Sequence, residues 1–163
     1  MTQAQAKAPP DERPDFVLET IIHTKPERVW NALTESSHVK LYHFAHCSVK
    51  ASLKPGGRLD HHYPNGELML GGEIIALDPP RRLEMTFEPA FFGPDAPASR
   101  CVYELEAEGD CTRFRVLHFG IAEGQTGVIP GWASVSERLK VYLEHGSVDS
   151  IVAREAAMRE AAA

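Results

Sequence analysis

Apolar and polar residues alternate through most of the chain, and the few helical patterns sit at its two ends. "FVLETIIH", Phe16 to His23, is β-branched and apolar and predicts a strand. In "TKPERVWNALT", Val29, Trp30 and Leu33 share a helical face. Thr24 with Glu27 reads as a capping box, and Pro26 falls in the first turn, where its missing N–H costs little. "SSHVKLYHF" predicts a second short helix capped by Ser36 or Ser37. In "AHCSVKASLKPGG", Ala45, Cys47, Val49, Ala51 and Leu53 share one face of a half-buried strand that "KPGG" ends. "RLDHHY" is a short strand and "PNG" a turn. "ELMLGGEIIAL" is a longer strand, with Gly71 and Gly72 marking a bulge or a close approach.

Pro79 and Pro80 cannot both sit in a paired strand, because neither donates an N–H. "DPPR" is therefore a connection between antiparallel strands, and "RLEMTFE" is the next strand. Its Leu83, Met85 and Phe87 face one way; Glu84, Thr86 and Glu88 face the other. "RCVYELEAE" and "TRFRVLHFG" alternate in the same manner, with Cys101, Tyr103 and Leu105, then Phe114, Val116 and His118, on one face. "GWASVSERLKVYLEHG" carries Trp132, Val135, Leu139, Tyr142 and Leu143 at helical spacing and ends at Gly146. The order is one strand, one or two helices, about six strands and a long amphipathic helix. Hairpin-like turns make the sheet antiparallel, and the simplest packing lays the last helix across it, an α+β domain. A bent sheet holding one helix leaves a hollow, a natural small-molecule site.

The 163 residues suit one domain, expected over residues 16–146. Residues 1–15, rich in Ala, Gln, Pro and charge, read as a disordered tail. Residues 147–163 have high helix propensity and few large apolar side chains, a helical tail. That tail is either dispensable or packs across the boundary of a homodimer. A net charge of −6 with no basic stripe argues against a nucleic-acid partner. No apolar run approaches a membrane span, and no membrane partner is expected. The start has no secretory apolar core, and Cys47, Cys101 and Cys111 lack CxxC spacing. Reduced thiols in a cytoplasm are the expectation.

The ordered set "KPERVWNALTE", "LKPGG", "GGEIIALDPPRRLEMTF", "ELEAEGDCTRFRVLHFG" and "GWASVSERLKVYLE" resembles the motifs of the START-like (SRPBCC) superfamily. It is most similar to bacterial proteins related to the C-terminal domain of the activator of the heat-shock chaperone ATPase. The resemblance runs from about Phe16 to Glu144. It implies a helix-grip fold, a curved antiparallel sheet of about seven strands around a long C-terminal helix. Members of the superfamily bind apolar ligands, cyclise polyketides or act with partners, so the fold alone does not choose. The loop "PAFFGPDAPAS" and the alanine-rich tail depart from the pattern.

An apolar or amphipathic small molecule held between sheet and helix is the leading expectation. Its candidate wall is Trp30, Phe44, Cys47, His61, Tyr63, Phe87, Cys101, Tyr103, Phe114, His118, Trp132 and Val135. Phe91 and Phe92, in a loop too broken for regular structure, are its candidate lid. The alternative is a cyclase- or hydrolase-like enzyme in which His118, with Tyr103 or Tyr63, polarises a carbonyl and moves a proton. A chaperone-cofactor role is a third class. Eight histidines are present, but no HxH or HExxH spacing, so no metal and no cofactor are expected. His46 and His62 should point outward. Glu67, Glu73 and Glu84 read as exposed strand positions, and Arg81, Arg82, Arg113 and Arg115 as solvated.

Overall fold

Period-two alternation becomes one curved antiparallel sheet. The computed structural model describes residues 12–163, and most of the expected N-terminal tail lies outside them. The strands are β1 (Phe16–Ile22), β2 (Ser48–Ala51), β3 (Leu59–His62), β4 (Leu68–Gly71), β5 (Ile74–Asp78), β6 (Arg82–Pro89), β7 (Ser99–Glu108) and β8 (Cys111–Phe119). Their order is β1-β8-β7-β6-β4-β3-β2, with β5 also paired to β6. Because β4 and β5 both run along β6, the sheet is seven positions wide, as the helix-grip fold requires. "ELMLGGEIIAL" is thus one course of chain passing a close approach. A Cβ on Gly72 would lie 2.8 Å from the Thr86 carbonyl oxygen. The bulge falls later, between Ile74 and Ala76.

Four helices accompany the sheet: α1 (Pro26–Thr34), α2 (Ser36–Tyr42), α3 (Val128–His145) and α4 (Asp149–Ala162). The long α3 crosses the sheet's inner face, burying Trp132, Leu139 and Leu143 against it, and Gly146 ends it. It begins three residues earlier than its apolar stripe predicts. The capping box at Thr24 does not form. Lys25 is the cap residue, and the Thr24 hydroxyl instead accepts from Arg28. Ser36 is the first residue of α2 rather than its cap, and its hydroxyl holds both the N–H and C=O of Val49. That bond ties α2 to β2. The inner-face alternation of β2 stops at Val49, because Ala51 and Leu53 lie exposed at the sheet edge.

The C-terminal helix α4 is anchored by Val148 and Ile151, both in the core, and by Glu155, which pairs with the buried Arg138 of α3. Val152 and Met158 are exposed. No helix among the described residues is long and apolar enough to cross a membrane.

One outer-face expectation is overturned. Glu84 is fully buried rather than exposed. The Arg82 and Arg100 guanidiniums bracket its carboxylate at 3.1 and 2.9 Å. Arg100 in turn binds Glu12 and lies 4.0 Å over the Phe119 ring. Alternation assigned the correct face but not the depth, which neighbouring strands and the entering chain supply. Glu67 and Glu73 are exposed as expected, and so is Arg81. Arg82, Arg113 and Arg115 are only part-exposed, held in ion pairs across the strands.

Candidate ligand cavity

Alternation on β6, β7 and β8 turns one side chain in two towards α3, and α1 and α2 close the space from the side. The hollow left between them has a volume of about 310 Å³. That is near the lower end of the ~300–1,000 Å³ typical of small-molecule sites. Phe87, Tyr103 and Phe114 come from the sheet, and His61, Tyr63, Met69 and Leu70 from β3, β4 and the turn between them. Leu33 of α1 and the run Tyr42 to Ala45 at the end of α2 supply another side. From α3 come Gly127, at its start, and Val128, Gly131, Trp132, Val135, Ser136 and Leu139. The exposed wall members, Phe91 and Gly127, mark the mouth.

Of the residues the sequence proposed for the wall, Phe44, His61, Tyr63, Phe87, Tyr103, Phe114, Trp132 and Val135 line this cavity. Trp30 and Cys47 are buried elsewhere, and the Cys47 thiol points at the Met69 sulfur, 3.3 Å away. Cys101 touches only a separate void of about 10 Å³, too small for a ligand. Burial raises the thiols of Cys47 and Cys101, to about 11 and about 12, so both are inert at neutral pH. Phe91 lines the mouth, while Phe92, tilted against it with ring centroids 4.7 Å apart, does not reach the cavity. Their loop is not wholly irregular, since Ala90–Phe92 form a 3-10 turn.

His118 does point inward, but Trp132 lies over it. The Trp132 indole N–H donates to His118 Nδ1 at 2.9 Å, and His118 Nε2 lies 2.7 Å from the Ser99 hydroxyl. An indole nitrogen only donates, so in the neutral ring Nδ1 accepts and Nε2–H is given to Ser99. Burial lowers His118 to about 4, which keeps the ring neutral. With both nitrogens engaged, His118 sets the angle of the Trp132 wall and is not part of the cavity surface. Tyr103 does line the cavity, and burial raises its phenol well above the ordinary value.

Sequence reasoning missed His43 and Ser136. His43 follows α2, accepts from the Ala45 N–H at 3.0 Å through Nδ1, and is nearly fully buried. Burial first, then neighbouring His61 and Arg138, lowers it to about 3. His61, 5.7 Å from it between ring centroids, is lowered by burial to about 4. Ser136 lies four residues after Trp132, on the stripe that meets the sheet. Helical spacing alone could have found it. Its hydroxyl and the Nδ1 of His61 are buried without a hydrogen-bond partner among the described residues. His62, expected outside, is half-buried with an unpartnered Nδ1, whereas His46 is exposed.

Residues 23–144 match the family model described as "Activator of Hsp90 ATPase homolog 1-like protein". The chain belongs to this family. It is a START-like superfamily member by fold as well. No curated protein sequence matches it. Among solved structures, MLL2253 from Mesorhizobium loti is 26% identical, with a TM-score of 0.63 over 79% of this chain and 96% of that one. CalU16 from Micromonospora echinospora is 21% identical, with a TM-score of 0.62 over 80% and 76%. The Aha1 dimer from Colwellia psychrerythraea is 19% identical, with a TM-score of 0.64 over 80% and 96%. At such identities the likeness speaks for the fold.

Proposed function

We propose that this protein binds an apolar or amphipathic small molecule between its sheet and α3, and that it acts as a carrier or sensor rather than as an enzyme. The observation that carries the reading is the wall itself. A hollow of about 310 Å³ is bounded mostly by aromatic and aliphatic side chains, and among the described residues no Asp, Glu, Lys or Arg lines it. Burying an apolar guest there contributes roughly 25 cal/mol per Å² of guest surface removed from water.

The alternative, a cyclase- or hydrolase-like enzyme on His118, has less support. His118 is screened by Trp132 and has no free nitrogen. A proton-transfer group must reach its substrate directly or through one water. A reading as an interaction protein draws on the family's name and on the dimeric Aha1 of Colwellia psychrerythraea. We carry it as a homodimer, with the exposed Val152 and Met158 of α4 as its contact. Light scattering at micromolar concentration decides it: a mass near 18 kDa would reject the dimer.

The test of the binding reading is titration with Nile red, whose emission rises in apolar surroundings. Val135 lines the cavity and is only partly buried, so Val135→Trp can enter the space with little strain. The expected result is saturable binding by the parent and its loss in a Val135→Trp variant of near-parental stability. A variant destabilised by the ~1–3 kcal/mol of an overpacked core would mean that the space is closed in solution.

A further inference from the structure

Two buried polar atoms in the cavity wall have no partner among the described residues, and they bear on what the cavity would hold. Ser136 is 4% exposed, lines the cavity, and its hydroxyl makes no hydrogen bond among the described residues. The Nδ1 of His61, also in the wall, is buried and equally unmatched. A buried donor or acceptor left unpaired is destabilising, so such groups in an apolar wall are strong recognition points for a guest that answers them. His43 adds a donor to the same wall, because its Nδ1 is occupied by the Ala45 N–H and its proton must sit on Nε2.

The charge pattern restricts the guest further. Arg138, a cation that acts on His43 of the wall, is committed. Its Nε donates to the Tyr42 carbonyl at 2.7 Å, and its Nη1 pairs with Glu155. Asp60, next to His61, is engaged by Arg58 at 2.9 Å. Neither histidine of the wall becomes a cation at neutral pH, since burial holds both low. A carboxylate or sulfonate entering this space would lose its water and meet no opposite charge.

From this arrangement we infer that the cavity selects an uncharged molecule carrying one oxygen function, a ketone, ester or alcohol, which hydrogen-bonds to Ser136 and His61, and that it rejects the corresponding carboxylate. The inference rests on the small-molecule reading above and names the chemistry of that site. An alcohol can both give and accept, as can a hydroxyl facing a neutral imidazole. A carbonyl takes the Ser136 proton.

Competition against Nile red at pH 7.5 tests it with three naphthalenes of one shape: 2-acetonaphthone, 2-ethylnaphthalene and 2-naphthoate. The parent should bind the ketone about tenfold tighter than the ethyl compound, one hydrogen bond's worth. Naphthoate should bind at least tenfold more weakly than the ketone. Ser136→Ala should erase most of the ketone's advantage and leave the ethyl compound unchanged. It removes an unpaired hydroxyl, so the fold should tolerate it. Equal binding of ketone and ethyl compound in both proteins would overturn the inference while the cavity reading stands. Naphthoate binding as tightly as the ketone would overturn the charge exclusion. If Nile red and every naphthalene fail to bind, the cavity reading falls and takes this inference with it.

Discussion

The two faces of β6, β7 and β8 are built from the same strands and behave in opposite ways. On the outer face, charge answers charge: Glu84 with Arg82 and Arg100, Arg115 with Glu104, and Arg113 and Arg115 with Glu19. On the inner face rings meet rings, with Tyr103 perpendicular to Trp132 at 5.9 Å and Phe87 tilted against it at 5.8 Å. Among the described residues no charged side chain lines the hollow, and two of its buried polar atoms are unmatched. The outer face is laced together by ion pairs between neighbouring strands. The apolar hollow lies on the inner face, whereas the groove on the outer face is lined by charged side chains such as Glu19, Arg82, Glu104, Arg113 and Arg115.

Removing the best-buried partner should break this contrast most severely. Glu84→Ala leaves Arg82 and Arg100 without the fully buried carboxylate that they share. The expected loss is about 3 kcal/mol, the lower end for breaking a buried pair, since both arginines are partly exposed. Urea unfolding at pH 7.5 measures it. The folded fraction should bind Nile red as the parent does, because the outer face does not touch the cavity. A loss below roughly 1 kcal/mol would mean that the pair behaves like an ordinary surface bridge.

Acid sharpens the comparison, because the buried histidines on the cavity side titrate in a window of their own. His43, at about 3, and His61 and His118, at about 4, are all pushed down chiefly by burial. In the unfolded chain a histidine titrates near 6.5. Between about 6.5 and 4 the unfolded chain therefore binds protons that the folded chain does not, so stability falls as the pH is lowered. Each such histidine contributes up to about 1.4 kcal/mol per pH unit within that window. Glu144, away from the cavity, has the same sign but a lower window. Burial raises it, but hydrogen bonds from Lys140 and His23 outweigh this and hold it at about 2. Its contribution is lost only below about 4. The urea midpoint should thus drop from pH 7 to pH 5 through the inner face alone. In His43→Gln the drop should be shallower by about one proton. An unchanged slope would mean that His43 is solvated in the native protein.

Much of this contrast was readable in the sequence, and its limits have physical causes. Leu83, Met85 and Phe87 against Glu84, Thr86 and Glu88 is a period-two pattern, and it fixed both faces of β6 before any coordinates. Depth was not readable. Glu84 is buried because Arg100 arrives from the next strand and Glu12 crosses it, and neither neighbour is local. His118 faces inward as its alternation requires, yet a side chain 14 residues later covers it. Ser136 is a polar residue on an otherwise apolar stripe, where Trp132, Leu139 and Leu143 share its helical face, so hydrophobicity does not mark it. His43 is placed by the end of a seven-residue helix, where no periodicity operates.

The proposed lid, Phe91 with Phe92 beside it, should give a smaller effect on stability than on kinetics. Phe91 and Phe92 are 42% and 36% exposed, so neither is a core side chain. Replacing both by serine should shift the unfolding midpoint little while changing the association and dissociation rates of Nile red in stopped flow. A destabilisation of about 3–5 kcal/mol, the cost of deleting a buried phenylalanine, would place them in the core instead.

The smallest expected effect comes from one missing methyl group. Gly131 lines the cavity within the first turns of α3, in an ordinary helical conformation, and a Cβ built on it meets nothing within 4 Å. Glycine in a helix interior costs about 0.5–1 kcal/mol relative to alanine. Nothing in the packing accounts for this glycine, but the opening does. It stands one turn after Gly127, which is itself exposed at the mouth. Side chains at these two positions would project across the way in. Gly131→Ala should therefore stabilise the protein by about 0.5–1 kcal/mol and slow the exchange of Nile red. Gly131→Leu should extend the trend, with binding slowed further or lost in a protein that melts no lower than the parent. The melting temperature and the dissociation rate are read on the same samples, so the two effects can be separated. If both variants are stabilised and exchange the probe at the parental rate, entry does not pass between α3 and the Phe91 turn. The glycine would then be a plain weakness of the helix.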